Sequence, residues 1–389
     1  MTVRDRLVVV GAGAVGSAIA WAAARERVAG EVVLVDPDPG SGASRVAGGM
    51  LAPISEAWPG EREVLELGAA SLARWPAFAD AVAQDAGSPV GLRREGTVQV
   101  ALDAADVADL DRVAEHLRAW GRDVERLSGR AVRRLEPSLG PAVRAGLAVP
   151  DDLAVDNRAL LAALTAAGRR RGVVVERRRV ERVLDDGARV TGVALAPAGS
   201  SGSPGTVGGS GGSVLEADRV VVAAGAWSAA LHPVLADRVR PVKGEILRVR
   251  ARRSSLPPPS RTVRAAVSGR PVYAVPRDGG RLVVGATQYE AGFDPDVLVG
   301  GVRDLVADVE RVLPGIADYA LEETAASFRP GTDDNLPLLG AVGPAGLVAA
   351  TGHGRNGMLL VAVTVDAVTA VLRGEPLPEE ARPAAAARS

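Results

Sequence analysis

The chain has 389 residues, more than one ordinary hydrophobic core accommodates, so we expect two interleaved domains. Its composition, 47% hydrophobic and 24% charged, excludes a disordered chain, and a net charge of -1 gives no reason to expect nucleic acid or a membrane surface as partner. Cysteine is absent, which excludes disulfides, thiolate nucleophiles and thiolate metal sites. His116, His232 and His353 lack the spacing of metal ligands. We therefore expect no metal, and an organic cofactor instead.

The apolar stretch at residues 7–24 follows two arginines and could be taken for a secretory signal. A signal core has no need of Gly11, Gly13 and Gly16 in register, or of an acidic residue at Asp36 after a second strand. No other uninterrupted apolar run of about 18 residues occurs. The sequence therefore predicts a cytoplasmic protein.

The first elements in chain order are a strand at 7–10, an Ala-rich helix at 14–27 and a strand at 31–35, which together form a βαβ unit. Small residues at 41–53 indicate a flexible segment. The pattern then predicts a helix at 61–86, a strand at 96–101 and a helix at 104–120.

The second half begins with a helix at 157–170 and a strand at 173–176, followed by a hairpin of 180–184 with 190–195. Residues 196–213 are almost all Gly, Ser, Ala and Pro, which predicts a mobile surface loop. The later predicted elements are strands at 219–223, 240–250, 272–275 and 281–285, a helix at 301–312, and a unit from Leu347 through a glycine turn at 352–357 into a helix at 358–372.

The βαβ unit carries a dinucleotide fingerprint. Gly11 allows a tight turn, Gly13 lets a phosphate approach the backbone, and Gly16 allows close packing of helix and strand. Asp36 ends the second strand, where a carboxylate can accept hydrogen bonds from ribose hydroxyls and disfavours a 2'-phosphate. The fingerprint predicts a dinucleotide but leaves FAD and NAD open.

Three other segments favour FAD. The small residues at 43–50 follow the first unit, where a flavoprotein needs close backbone approach, although an ordinary flexible loop has the same composition. Residues 220–225 repeat an apolar strand that ends in small residues. Residues 352–357 open the predicted last helix, whose N-terminus could stabilise negative charge on a reduced flavin.

Five blocks then occur in order: RPVKGEI (240–246), YAVPR (273–277), GRLVVGAT (280–287), FRPGT (328–332) and GHGRNG (352–357). With the fingerprint, these make the chain resemble the D-amino-acid oxidase family of FAD-dependent oxidoreductases over nearly its whole length, and within it the glycine oxidases of thiamine biosynthesis. The resemblance implies a mixed α/β fold: a Rossmann-like FAD-binding domain of the glutathione-reductase type interleaved with an antiparallel-sheet substrate domain. It assigns 1–85, 145–230 and 331–380 to the first domain, and 86–144 and 231–330 to the second.

The same resemblance implies that Tyr273, Arg329 and Arg355 bind and orient a substrate carboxylate, a role suited to a guanidinium fork and a phenol. Gln288 and Pro271 depart from residues found in relatives, which leaves pocket lining and substrate size open. We assign Lys243 and Glu245 structural or solvent roles. The predicted contacts of non-covalent FAD are Gly11, Gly13, Ala14, Val15, Gly16, Asp36, Pro37, Ala43, Ser44, Gly48, Gly49, Met50, Val180, His353, Gly354, Arg355, Asn356, Gly357, Met358 and Leu359.

The implied reaction is oxidative deamination of glycine, sarcosine or small D-amino acids by oxygen, giving a 2-oxo acid, ammonia or an amine, and hydrogen peroxide. The expected partners are thus a small amine substrate and O2, with a homo-oligomer possible. Two alternatives stay open: a dehydrogenase that passes electrons to a quinone or carrier protein, and a non-catalytic flavin-binding subunit.

Overall fold

The computed structural model describes residues 5–197 and 212–388. Most of the loop predicted at 196–213 lies outside these residues; its last residue begins the strand Ser213–Glu216. No helix in the described ranges is both long and apolar enough to cross a bilayer.

A six-stranded sheet is built around the strand Arg6–Val10, whose valines and leucine are buried as expected for a parallel strand covered on both faces. The first strand pairs in parallel with Glu31–Val35 and Arg219–Val222, which confirms the predicted βαβ unit. In sheet order the strands are Leu338–Ala341, Leu347–Thr351, Arg219–Val222, Arg6–Val10, Glu31–Val35 and Val174–Glu176.

Helices cover one face of this sheet. Their apolar side chains, among them the buried Trp75, form a hydrophobic core with the sheet. The helix Asn157–Arg170 begins where predicted, because the Asp156 carboxylate accepts hydrogen bonds from the Arg158 and Ala159 amides. The other helices of this layer are Ala14–Arg25, Arg62–Ala86 and Val361–Leu372.

An eight-stranded sheet forms the second large layer and confirms the predicted mixed fold. It is antiparallel except that Thr97–Ala101 runs parallel to Thr262–Val267, a pair that the sequence did not predict. It includes Ala145–Val149, which the sequence division placed with the FAD-binding residues, because this strand pairs with Thr97–Ala101. In sheet order its strands are Ala320–Gly331, Arg240–Arg250, Arg281–Gly285, Arg270–Arg277, Thr262–Val267, Thr97–Ala101, Ala145–Val149 and Glu125–Ser128.

Two three-stranded sheets complete the strands of the described chain. One contains the predicted hairpin, as Val180–Asp185, Val190–Leu195 and Ser213–Glu216. The other joins Met50–Leu51, Leu153–Val155 and Leu92–Arg93. The remaining α-helices are Gly42–Val46, Ala104–Ala119, Gly129–Leu135 and Val299–Val312.

Two local predictions were wrong. The segment at 41–53 is not a flexible loop, since it contains the helix Gly42–Val46 and the strand Met50–Leu51, which pairs with Leu153–Val155. The last helix starts at Val361 rather than 358, because the chain first makes a 3-10 turn at Gly354–Asn356 and a further turn after it.

Candidate FAD and substrate site

A pocket of about 840 Å³ runs from the glycine turn after Arg6–Val10 to the eight-stranded sheet. Residues of both large sheets and of the glycine turn line it, among them Gly11, Asp36, Tyr273 and Arg329. The fold thus brings the fingerprint residues together with Tyr273 and Arg329, the predicted carboxylate-binding residues, which lie more than 200 positions away in the sequence.

The glycine turn has the backbone shape that the fingerprint predicts. Gly11 has a φ of +102°, and a Cβ there would lie 2.4 Å from the Ala223 carbonyl oxygen. A Cβ at Gly16 would lie 1.9 Å from the Gly11 carbonyl oxygen. Gly16 does not line the pocket, so its part is the close packing of helix against turn. Gly13, Ala14 and Val15 line the pocket at the start of the first helix, where backbone amides favour an anion.

Asp36 lies at the end of the second strand with Pro37, and both line the pocket. Its carboxylate accepts hydrogen bonds from the Ala12 amide at 2.7 Å and the Asp38 amide at 2.8 Å. Burial raises the pKa of Asp36, and these two hydrogen bonds oppose the rise. Each carboxylate oxygen has lone pairs left over, as a partner of ribose hydroxyls requires.

The segment at 43–50 lies along the pocket, and Ala43, Ser44, Gly48, Gly49 and Met50 all line it. The Ser44 hydroxyl accepts a hydrogen bond from the Ala14 amide at 2.9 Å, which joins this segment to the glycine turn. Buried Asn157 donates from Nδ2 to the carbonyl oxygens of Ser44 and Arg45, both at 2.8 Å. The small residues are therefore a fixed wall of the pocket, which favours the flavoprotein interpretation of this segment.

Tyr273 lies between two glycines. A Cβ at Gly48 would lie 2.8 Å from its ring, and a Cβ at Gly285 would lie 2.3 Å from its hydroxyl oxygen. Burial raises the pKa of Tyr273, with the positive charge of Arg329 opposing, so the phenol keeps its proton and can donate it to a carboxylate. Its cross-strand neighbour, Arg264, also lines the pocket.

Arg329 reaches the pocket from the long strand Ala320–Gly331, and its guanidinium lies over Gly244, where a Cβ would be 2.2 Å from Nη1. Nη1 donates to the Thr287 carbonyl oxygen at 3.3 Å. No carboxylate within the described ranges forms an ion pair with Arg329. By contrast, Arg264 pairs with Glu56, Nη1 to Oε1 at 2.9 Å. Arg329 is thus a partly buried cation with hydrogen-bond donors to spare.

Arg355 differs from Arg329 in having a carboxylate partner. It lines the pocket, yet its guanidinium also pairs with Glu61, whose other oxygen accepts a hydrogen bond from Asn335 at 2.8 Å. Part of its charge is therefore already balanced. A direct contact between Arg355 and a substrate carboxylate remains a prediction.

His353 is buried, with Nε2 3.0 Å from the Thr364 hydroxyl oxygen, and burial lowers its pKa to about 4. A neutral ring bonded to the last helix suits a residue that braces its turn. Its neighbours Gly354, Gly357 and Met358 line the pocket. Asn356 and Leu359 instead line a small cavity of about 10 Å³ beside Glu61, so the structure does not place these two with the other predicted contacts.

Other pocket residues were not predicted from the sequence. Glu56, Arg264, Trp227 and Phe328 line the pocket, and Gln288 and Pro271, the two departures noted above, do so as well. Arg264 was missed because Thr262–Val267 was not recognised as a strand; the pairing of that strand with Arg270–Arg277 puts Arg264 opposite Tyr273. Val180, where the resemblance puts the adenine, also lines the pocket.

Lys243 and Glu245 are buried rather than solvated, so their predicted structural role fits and the solvent alternative is wrong. The Lys243 ammonium lies 2.8 Å from Asp294 Oδ2 and 3.9 Å from Glu245 Oε1. Glu245 also accepts a hydrogen bond from the Leu298 amide at 2.8 Å. Both residues hold the segment that follows Thr287 against the sheet.

The pocket brings together the start of the first helix, the Asp36 carboxylate and a wall of small residues, which are the features expected of a dinucleotide site. The sequence of residues 6–370 matches the family model of FAD dependent oxidoreductases, the D-amino-acid oxidase family, and the chain belongs to this family. This confirms the predicted family and resolves the choice of cofactor in favour of FAD over NAD.

The chain is similar to the glycine oxidase of Geobacillus kaustophilus, with 33% identity over 370 residues, 94% of this chain and 92% of that protein. The crystal structure of that enzyme superposes with a TM-score of 0.86 and 30% sequence identity, covering 99% of each chain. A bifunctional protein ThiO/ThiG of Synechocystis is 31% identical over 367 residues, 94% of this chain, which spans 51% of that protein. A putative thiamine biosynthesis oxidoreductase of Rhizobium etli is 32% identical over 332 residues, 85% of this chain and 86% of that protein.

Proposed function

We propose that the chain catalyses FAD-dependent oxidative deamination of glycine, and of other small amines such as sarcosine and small D-amino acids, in thiamine biosynthesis. One observation carries the proposal. Arg329 lies in the pocket beside protonated Tyr273 without an acidic partner in the described chain. Relatives named as glycine oxidases and as a thiamine biosynthesis oxidoreductase support the choice of substrate and pathway.

The two residues suit a carboxylate that carries an amine one carbon away. Arg329 can offer two parallel N–H donors to the carboxylate, and the Tyr273 hydroxyl can add a third hydrogen bond. Holding the carboxylate at these atoms would fix the position of the α-carbon within the pocket, which Gly48 and Gly49 also line. The resemblance assigns the same carboxylate role to Arg355, which supports the proposal more weakly because of its pair with Glu61.

When bound, FAD supplies the two-electron acceptor that takes hydride from the α-carbon of the neutral amine and is reoxidised by oxygen. Water then hydrolyses the imine product, so that glycine, O2 and water give glyoxylate, ammonia and hydrogen peroxide. The protein's part is orientation and electrostatics. The neutral, buried His353 is not required as a base in this scheme.

We also propose that one domain, built on the six-stranded sheet, binds the cofactor, and that the other, built on the eight-stranded sheet, binds the substrate. Residues 1–85, 145–230 and 331–380 supply the adenosine and pyrophosphate end, and residues 86–144 and 231–330 supply the substrate end. Asp36 follows a strand of the six-stranded sheet, whereas Tyr273 lies on a strand of the eight-stranded sheet, and both line the pocket, which supports this division. The strand pairing of Ala145–Val149 favours moving that boundary to follow Val149.

The test is an anaerobic screen of flavin bleaching with glycine, sarcosine and small D-amino acids, followed by aerobic measurement of peroxide. We expect glycine to bleach the flavin and peroxide to form in equal amount to glyoxylate. Bleaching without peroxide would favour a dehydrogenase with another acceptor, and no bleaching by any of these amines would refute the proposal.

Arg329→Ala should raise the KM for glycine at least about tenfold while FAD remains bound, because a charge-assisted hydrogen-bond pair is lost. Arg303→Ala is the matched control, since Arg303 is exposed on the helix Val299–Val312 and pairs with Asp304. An unchanged KM in Arg329→Ala would contradict the role given to Arg329.

A further inference from the structure

The backbone turn at Gly48–Gly49 is held from behind by a buried arginine. Arg277 Nη2 donates a hydrogen bond to the Gly48 carbonyl oxygen at 2.7 Å, and Nη1 donates to the Pro276 carbonyl oxygen at 3.0 Å. The same guanidinium lies against Gly49, where a Cβ would be 2.7 Å from Nη2. Neither residue of the turn could be alanine without moving its neighbours, Tyr273 at Gly48, and the Val155 carbonyl oxygen at 2.1 Å together with Arg277 at Gly49.

The strand Arg270–Arg277 supplies both neighbours. Tyr273 and Arg277 are four residues apart on it, so their side chains leave the same face of the sheet. Tyr273 packs on Gly48 from the pocket side, whereas Arg277 is absent from the pocket lining and holds the Gly48 carbonyl. The strand Arg270–Arg277 therefore contacts the Gly48–Gly49 turn through two side chains. The Val155 amide adds a third contact, donating to the Gly49 carbonyl oxygen at 2.8 Å.

The cost of burying Arg277 indicates that its position matters. The residue is 6% exposed, and burial lowers its pKa to about 10, so it is still charged at neutral pH. The carboxylate that pairs with it, Asp156, has Oδ2 3.7 Å from Nε, while its other oxygen, Oδ1, accepts hydrogen bonds from two helix amides. Burying a cation whose partner oxygen is this far away costs folding free energy. Replacing such a residue by an apolar side chain of similar volume often leaves the protein no less stable.

Fixing the Gly48 carbonyl also fixes the Gly49 amide. The carbonyl oxygen and the amide hydrogen of a trans peptide point in opposite directions. Because the Gly48 oxygen points to Arg277, the Gly49 N–H points away from Arg277, and both glycines line the pocket. Asn157 holds the carbonyls of Ser44 and Arg45 from a position that is likewise outside the pocket lining.

We infer that Arg277 is a positioning residue for the flavin: with Tyr273 it fixes the Gly48–Gly49 turn, whose backbone would form part of the surface that holds the cofactor. The inference rests on FAD binding in this pocket and not on glycine as substrate. Arg277 touches neither cofactor nor substrate in this arrangement; it acts through the turn.

The experiment compares Arg277→Met and Arg277→Lys with Arg270→Met. Arg270 is the matched control, because it begins the same strand and forms a two-point pair with Asp308 away from the pocket. For each variant, FAD is removed, the Kd of rebinding is measured by flavin fluorescence, and the midpoint potential of the bound flavin is measured against a reference dye. Thermal unfolding of each apoprotein is measured in parallel.

We expect Arg277→Met to raise the Kd for FAD at least about tenfold and to shift the flavin potential. Arg277→Lys should be intermediate, because it keeps the charge but has a single nitrogen in place of the two that bond the Gly48 and Pro276 carbonyls. Arg270→Met should lower thermal stability yet leave the Kd for FAD within about twofold of the parent and the flavin potential unchanged, in keeping with loss of a pair remote from the site. If Arg277→Met fails to fold, Arg277→Lys alone decides. An unchanged Kd and potential in the Arg277 variants, or an equal change in Arg270→Met, would overturn the inference. Glycine turnover plays no part in these readouts, so a wrong substrate assignment would leave the test intact.

Discussion

Asp152 offers a sharp test of the described electrostatics, because its carboxyl is fully buried near the substrate end of the protein. Burial raises its pKa to about 7, and the nearby Ser55 hydroxyl, Arg264 guanidinium and Thr97 hydroxyl offset only part of that rise. Asp152→Asn keeps the shape of the side chain and removes the titration. The comparison therefore isolates the free energy of ionising this buried group.

The magnitude follows from the two pKa values. The unfolded chain has a pKa of 3.8 at this residue and the folded protein about 7, a difference of roughly three units, or about 4 kcal/mol. The pKa is raised in the folded state, so its contribution to stability is fully present below pH 3.8 and is lost as pH rises to about 7. Relative to Asp152→Asn, the parent protein should therefore lose up to about 4 kcal/mol of unfolding free energy across that range.

The assay is urea unfolding of the apoproteins at several pH values between about 4.5 and 8. Asp151→Asn is the control, since Asp151 is the exposed neighbour and should show little pH-dependent difference from the parent. A difference between Asp152→Asn and the parent that does not change with pH would refute the raised pKa.

Two glycine substitutions separate the fold of the site from its chemistry. In Gly244→Ala the new Cβ meets the movable end of Arg329, so the KM for glycine should rise several-fold while the FAD content stays that of the parent; an unchanged KM would argue against the placement of Arg329. In Gly16→Ala the Cβ meets the Gly11 backbone at 1.9 Å, so the turn must open and purified protein should lose most of its FAD, as absorbance will show. Gly300→Ala is the control, because the space around its Cβ position is open, and it should keep the KM and the FAD content of the parent. Full FAD occupancy in Gly16→Ala would contradict the packing described for Gly16.

The βαβ unit and its glycines could be predicted because their signal is local. A Val-rich strand, a glycine turn and the acid at Asp36 lie within 30 residues of one another, and each depends on backbone conformation near itself. The helix Asn157–Arg170 was equally accessible, since Asp156 marks its start.

What could not be predicted depends on distant partners. The small residues at 41–53 have a loop-like composition, and they are ordered by Asn157 and Leu153–Val155, more than 100 positions later. The pairing of Arg355 with Glu61 bridges 294 positions, so no pattern around Arg355 reveals that its charge is shared. The Tyr273 and Arg329 assignments came from the family resemblance, because spacing alone does not distinguish a substrate-binding arginine from a surface one.

The strand Arg6–Val10 has a consequence for the way the protein is made. Its two neighbours in the sheet are Glu31–Val35 and Arg219–Val222, and the Arg6 amide bonds to Asp218 across 212 positions. At about 5 to 20 residues per second, a ribosome needs roughly 10 to 40 s to deliver that second neighbour. During that time the edge of Arg6–Val10 that pairs with Arg219–Val222 has no partner, and an unpaired apolar edge is prone to associate with other chains. The nascent polypeptide must therefore be kept from aggregating until more than half of it has been synthesised. This requirement precedes the binding of any cofactor.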